Sequence, residues 1–393
     1  MEEAALRDRV TGVIRSALWG EKPPSAGPEV YAELREQALS LLAAAILPEM
    51  DVPDDLRRAW QTENYAQVMY GVRLRRVQER LPLSVPYAIL KGSAAAQYYP
   101  RPDLRTMGDI DLITRREDFD TACGDLLKDG YAENTVPEAD GVIRHRRFLK
   151  DGIEVEMHAY YAVLNDPDAA GCLDDLIIGG ISPSHLLPDM INGLVLLEHI
   201  SRHLEDGLGL RQIIDWMMFV HRCLPDARWP EFSAMADRVG LSRLAVITTR
   251  MCGIYLGLPA RAWCADADEQ ICGRLMDYLM ACGNFGQKLS REELRSETLM
   301  LAMWTPKSMF SLLQRHGLYN WKAAQRHRAL RPFAWIYQIG RYLVKGLGRP
   351  HALSRIRAEH RAAREHNDLL DALGAKQRHR GISVVRNGRY EKI

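Results

Sequence analysis

Strand-forming patterns in this chain gather in one stretch, and that confinement limits its fold more than any other feature. The stretch opens after Pro82. Val85 to Leu90 is a short apolar run, and Asp109 to Ile113 alternates charged and aliphatic residues. Val142 to Lys150 and Ile153 to His158 are two further runs joined by Asp151-Gly152, a strong hairpin signal. Between them lie Lys91-Gly92-Ser93, a small-residue helix over Ala94 to Tyr99, a loop enforced by Pro100 and Pro102, and a helix over Glu117 to Lys128 ended by Gly130. On both sides the period is helical. Tyr31 to Ile46 and Leu56 to Val77 precede the stretch, with a break at Pro48 and Pro53. Segments 185–204, 208–223, 230–239, 241–256 and 266–282 follow it. Strands followed by a long run of helices predict an α+β protein with a larger helical C-terminal region, not a doubly wound parallel sheet. The expected division is a helical layer over 1–80, an α/β core over 81–165, a helical domain over 166–330, and a basic amphipathic helix and tail over 331–393.

At ~150 residues per domain, 393 residues allow two or three domains with cores of their own. The acidic start Met1-Glu2-Glu3-Ala4-Ala5 reads against a signal peptide. The best membrane-span candidate, Ile191 to Leu197, is stopped by Glu198, well short of the ~18 apolar residues a span requires. Seven cysteines show no C-x-x-C pair and an odd count, which predicts free thiols and a cytoplasmic protein. The net charge of +1 hides an asymmetry: residues 311–393 carry 18 Lys+Arg against 5 Asp+Glu, whereas 1–310 carry 34 against 46.

Gly108-Asp109-Ile110-Asp111-Leu112 is the sharpest local feature. In a strand Asp109 and Asp111 share one face, about 7 Å apart. Ile110 and Leu112 then face the core. Two adjacent carboxylates repel unless solvated or bound to a divalent cation such as Mg²⁺, which prefers hard oxygen ligands. Upstream, Leu90-Lys91-Gly92-Ser93 runs from a strand end into a helix through a glycine, a geometry that lets backbone N–H groups approach a phosphate. Downstream, Glu154, Glu156 and His158 share one face of a later strand.

These three parts, with Arg105 shortly before Gly-Asp-x-Asp and Glu156-Met157-His158 as an acid-x-His, resemble the DNA polymerase β-like nucleotidyltransferase superfamily. More narrowly, they resemble its bacterial uncharacterised nucleotidyltransferase family. Gly209-Leu210-Arg211-Gln212-Ile213-Ile214-Asp215 is similar to a helical motif of that family, and the likeness spans roughly 80–220. Fifteen residues between Ser93 and Asp109, and Ala159 where an aromatic usually follows the His, depart from the pattern. The resemblance implies a small mixed sheet flanked by helices and a metal-dependent transfer of NMP from an NTP, ATP by default, with pyrophosphate release. It implies Asp109, Asp111 and Glu156 as ligands of Mg²⁺ (two ions, with Mn²⁺ as alternative), and Glu156 as the group that helps deprotonate the acceptor. Glu154 competes for that role. Gly92 and Ser93 would hold phosphates, and Lys91 and Arg105 would neutralise pyrophosphate. His158, His203, Arg211 and Asp215 form a second tier.

His199 and His203, four apart, have zinc-compatible spacing but lack a third ligand and a metalloprotease glutamate, so they read as a partly buried, hydrogen-bonded pair. The acceptor class stays open among small molecule, peptide and RNA. A toxin-type enzyme modifying tRNA or a protein, and a non-catalytic nucleotide-binding scaffold, are the rival functions. In the basic end, Phe333, Trp335, Ile336, Ile339, Leu343 and Leu347 share a helical face, with Arg331, Arg341, Lys345 and Arg349 elsewhere. The readings there are a helix packed on the body, weak polyanion (nucleic-acid) contact, and contact with an anionic membrane surface.

Overall fold

A computed structural model describes residues 2–135, 144–164, 166–204, 207–289, 306–347, 352–375, 383–386 and 389–392. The chain divides into two compact units: 1–288 with 373–375 and 382–393, and 289–372 with 376–381.

The first unit opens with helices α1 (Glu2–Trp19), α2 (Pro28–Glu36) and α3 (Asp54–Gln78). The helix predicted over 31–46 stops at Glu36, and Ala38 turns the chain with φ 55°. Buried Gln37 forces the stop: its amide donates to Glu33 Oε1 (2.9 Å) and the Leu279 carbonyl (3.0 Å), and its oxygen accepts from Leu210 N (2.8 Å). Such partners outweigh helical periodicity.

A five-stranded sheet follows: β1 (Tyr87–Leu90), β2 (Ile110–Thr114), β3 (Ala132–Glu133), β4 (His145–Lys150) and β5 (Ile153–His158), in the order β1-β2-β5-β4-β3. It is mixed: β2 and β5 run parallel, and every other neighbouring pair is antiparallel. The Asp151-Gly152 hairpin forms with both residues at positive φ (51° and 74°); Val142, expected in its first strand, lies outside the described residues. Helices α4 (Gly92–Ala96) and α5 (Phe119–Lys128) connect the strands. Ile110, Leu112, Val155 and Met157 pack with Ala122, Leu126 and Phe148 on one face of the sheet.

Helices α6 (Pro167–Gly179), α7 (Asp189–His203), α8 (Leu210–Cys223), α9 (Trp229–Arg238), α10 (Ser242–Leu256) and α11 (Glu269–Cys282) complete the body. The start expected at 185 moves to Asp189 because the preceding segment covers the outer edge of β1, with Ile89 N donating to the His185 carbonyl at 2.8 Å. All seven cysteines are free, and five of them are buried.

The second unit contains α12 (Pro306–Asn320), α13 (Lys322–Arg326), α14 (Ala334–Leu347) and most of α15 (Ala352–Leu373). Helices α12 and α14 pack where Gly317 meets the Ala334 carbonyl, which leaves no room for a Cβ. Of the apolar face expected over 331–349, Phe333, Ile336 and Ile339 are exposed, whereas the side chains of Leu343 and Leu347, like those of Lys345 and Arg349 off that face, lie outside the described ones. No helix among the described residues is long and apolar enough to cross a membrane. The tail beyond Pro350 contains a hairpin of β6 (Ser383–Arg386) and β7 (Arg389–Lys392).

Candidate functional site

The face of the sheet opposite the apolar core carries the acids. Parallel pairing sets Asp111 directly beside Glu156, with Leu90 outside Asp111 and Arg147 outside Glu156 in the same row. The next row sets His158 beside His145. Directly paired residues project to the same side, so register alone gathers these groups. Two sets of ligand atoms lie within 4.8 Å of one another: Asp111, Glu156 and His158, and Asp109, Glu154 and Glu156. Glu156 belongs to both.

The carboxylates do not share one electrostatic state. Asp111 is 4% exposed; its Oδ1 lies 2.7 Å from Lys91 Nζ and 3.1 Å from His158 Nε2. Burial opposes its charge, but Lys91 and His158 overcome that and hold its carboxyl below the usual range. The Asp111 charge and burial push Asp109 up. Burial, then Asp111 and Asp109, push Glu156 up to about 7, although Arg147 Nε forms an ion pair with its Oε1 at 2.9 Å. Burial keeps His158 and His145 neutral at pH 7, His145 being lowered to about 3. The neutral His158 ring therefore donates from Nε2 to Asp111. The cluster is short of positive charge.

Lys91 ends β1 in a sparsely populated conformation (φ 52°, ψ −133°), and Gly92 follows with φ 24°. A non-glycine residue held there needs surrounding structure to impose the geometry; the Asp111 ion pair is part of it. The Ser93 hydroxyl donates to Gln78 Oε1 (2.6 Å) and is engaged there. Tyr161 packs edge-on to His158 at 5.9 Å and lies 5.9 Å from Lys91 Nζ, so an aromatic residue two places after Ala159 borders the site.

The Gly209-to-Asp215 motif opens α8, and each of its polar residues has a definite place. A Cβ on Gly209 would fall 2.7 Å from Asn284 Cα, so glycine there admits the 283–287 loop. Gln212 Nε2 donates to Asn284 Oδ1 at 3.0 Å. Asp215 takes a two-pronged ion pair from Arg105 (2.8 and 2.6 Å) and a hydrogen bond from Tyr99 (2.8 Å), all buried. Arg105 thus turns its fork to Asp215, away from the role of a phosphate ligand. Arg211 lies near enough to Asp109 for the two charges to act on each other. His199 and His203 meet edge to face at 4.8 Å, a ring contact instead of the expected hydrogen bond, and burial holds both well below their ordinary pKa.

Sequence reasoning passed over His145, Arg147 and Phe285. The first two become visible only through the register of β4 against β5, and Phe285 arrives from a loop 74 residues beyond Arg211.

A family model described as uncharacterised nucleotidyltransferase matches residues 26–257. No curated protein and no solved structure matches.

Proposed function

The chain belongs to the uncharacterised nucleotidyltransferase family, and from that premise we propose that it moves a nucleoside monophosphate from an NTP to an acceptor hydroxyl. The bond from the acceptor oxygen to the α-phosphorus forms, the bond to the bridging oxygen breaks, and pyrophosphate leaves. The carrying observation is the placement of Asp111 beside Glu156 across parallel strands, with Asp109 and Glu154 on the same face.

The donor set suits a hard divalent cation. Two clusters share Glu156, one of carboxylates alone (Asp109, Glu154, Glu156) and one with Asp111 and the His158 ring, each with its ligand atoms within 4.8 Å, and the upward shifts of Asp109 and Glu156 express a repulsion that a cation relieves. Asp109, Asp111 and Glu156 would hold Mg²⁺, two ions in our reading, with Mn²⁺ as the alternative. When bound, the metal neutralises phosphate charge and orients the triphosphate. Glu156 takes the proton of the acceptor hydroxyl on a carboxylate oxygen, with Glu154 as its competitor. His158 fixes the Asp111 carboxylate through Nε2. The backbone N–H groups of Gly92 and Ser93 hold β- and γ-phosphates, and Lys91 takes up charge on the leaving pyrophosphate. Arg105 and Asp215 position the loop before β2 and the start of α8.

ATP from a cytoplasmic pool is the default donor, and the acceptor is a small molecule, a peptide or an RNA such as tRNA. Pyrophosphate release from each NTP with Mg²⁺, alongside Mg²⁺-dependent NTP binding, tests the reading. Asp109→Ala plus Asp111→Ala is expected to abolish both. Unchanged binding in that variant overturns the site, and tight binding that never gives release with any acceptor class makes the protein a nucleotide-binding scaffold. The basic second unit contributes nothing to this chemistry. Its exposed Phe333, Ile336 and Ile339 beside Arg331 and Arg341 suit an anionic lipid surface better than RNA, because isoleucines gain nothing from a phosphate backbone. Salt-sensitive vesicle binding, lost in Arg331→Glu plus Arg341→Glu, checks that assignment.

A further inference from the structure

Beside the acids stands a second constellation that the chemistry above does not use. Phe285 sits in the loop that follows α11, 42% exposed and with its backbone left-handed (φ 52°, ψ 39°). A bulky residue in that conformation is a costly choice for a solvent-facing turn. Gly283 and Gly286, both at positive φ, flank it. Gly207 and Gly209 clear the ground beneath: a Cβ on Gly207 would lie 2.6 Å from Gly286 Cα, and one on Gly209 2.7 Å from Asn284 Cα. Four glycines and the Gln212–Asn284 bond therefore set one aromatic ring at a fixed place.

That place is next to Arg211, whose guanidinium carbon lies 5.5 Å from the Phe285 ring centre. Arg211 has five N–H donors. Nη1 makes a long contact with the Thr106 carbonyl (3.4 Å), and the buried Nε has no partner. Burial and the neighbouring Arg105 charge both disfavour the cation, partly offset by Asp215 and Asp109, so a buried guanidinium is held with one long hydrogen bond and an unpartnered Nε. By contrast Arg105, in the loop before β2, has its Nε and Nη2 taken by Asp215, one helical turn after Arg211 on α8. Behind Phe285 stands His203 at 4.9 Å with His199 beyond, two rings that are neutral at pH 7. An uncharged aromatic wall, then an anion-seeking fork, then the carboxylates at Asp109 form a continuous sequence of chemistries.

We infer that Phe285 and Arg211 form the nucleotide's docking subsite, the base stacking on the exposed Phe285 ring and the triphosphate engaging the Arg211 guanidinium. The inference rests on the nucleotidyltransferase reading and adds where the base lies. Stacking on one ring discriminates weakly among bases, because every base has a π-face, so the subsite admits purine and pyrimidine triphosphates alike with purines ahead by ring area.

Two probes separate the parts: ATP and inorganic tripolyphosphate, each with Mg²⁺, titrated against the full chain. Phe285→Ala is expected to weaken ATP roughly ten- to hundredfold and to leave tripolyphosphate unchanged, while Phe285→Trp keeps ATP binding. Arg211→Ala weakens both probes, and Arg211→Lys recovers part of the loss. Phe285→Gly, which relieves the left-handed strain, controls for folding: it keeps the melting temperature at or above wild type and still loses ATP. If Phe285→Ala binds ATP as tightly as wild type, or loses both probes equally, the stacking assignment is wrong while the nucleotidyltransferase reading stands. If wild type binds neither probe, that reading falls and this one with it.

Discussion

Strands β2 and β5 present two faces with opposite rules. On one, Ile110, Leu112, Val155 and Met157 are buried against α5 and Phe148, and each gains from leaving water. On the other, Asp111, Glu156 and His158 are equally buried, and each pays for it unless a partner compensates. Lys91 and His158 compensate Asp111. Asp109 and Glu156 stay under-compensated, and their raised pKa values record the deficit. The same backbone ladder thus stores stability on one side and unsatisfied charge on the other. A buried face that costs stability marks this side of the sheet as the candidate functional site.

Substitutions on each face should break different things. Asp109→Asn has the largest effect expected: Mg²⁺-dependent turnover falls below roughly 1% of wild type, measured as pyrophosphate release. The metal-free melting temperature rises, because a repelled charge is gone. Asp215→Asn tests the brace beneath the acidic face. It strands the buried Arg105 cation and should cost about 3–5 kcal/mol in urea unfolding. Leu112→Ala addresses the apolar face, with a cost of about 2–5 kcal/mol and retention of Mg²⁺ binding.

The comparison is sharpened by pH. Glu156 has a folded pKa of about 7, above its ordinary 4.5, so its protonated form favours the fold. That contribution is fully present below about pH 4.5 and is lost as pH rises through 7. Glu156 faces Asp109, Asp111, Lys91, Arg147, His145 and His158, and the last two titrate below neutrality. The quantity to measure is therefore the difference between wild type and Glu156→Gln without metal. Wild type should lose on the order of 2 kcal/mol relative to the variant between pH 4.5 and 8, and added Mg²⁺ should restore it. The smallest effect is on the acid side. His203 has a pKa lowered to about 3, so its neutral form favours the fold, and stability falls as pH drops below about 6.5. His203→Gln should flatten that limb in thermal melts.

Local patterns were legible where the responsible interaction is local. The Asp-x-Asp alternation placed two acids on one face and two aliphatics on the other, and Asp151-Gly152 placed a hairpin. Asn387-Gly388, in the sequence between β6 and β7, carries the same hairpin signal. Patterns failed where a distant partner decides. The 31–46 helix ended at Glu36 because Gln37 is held from α8 and α11, and α7 started late because its approach segment covers β1.

The sequence by itself determined that acids, a glycine turn and a basic helix motif lie in this order around a small sheet, since side-chain alternation and turn chemistry follow from neighbours along the chain. Tertiary structure alone decided which acid meets which base. Parallel register put Glu156 beside Asp111 and not beside Asp109, and long-range packing gave Asp215 to Arg105, left Arg211 Nε without a partner and delivered Phe285 to its side. Pairing energies at 3–6 Å depend on positions that hundreds of other contacts set, and no periodicity along a chain encodes them.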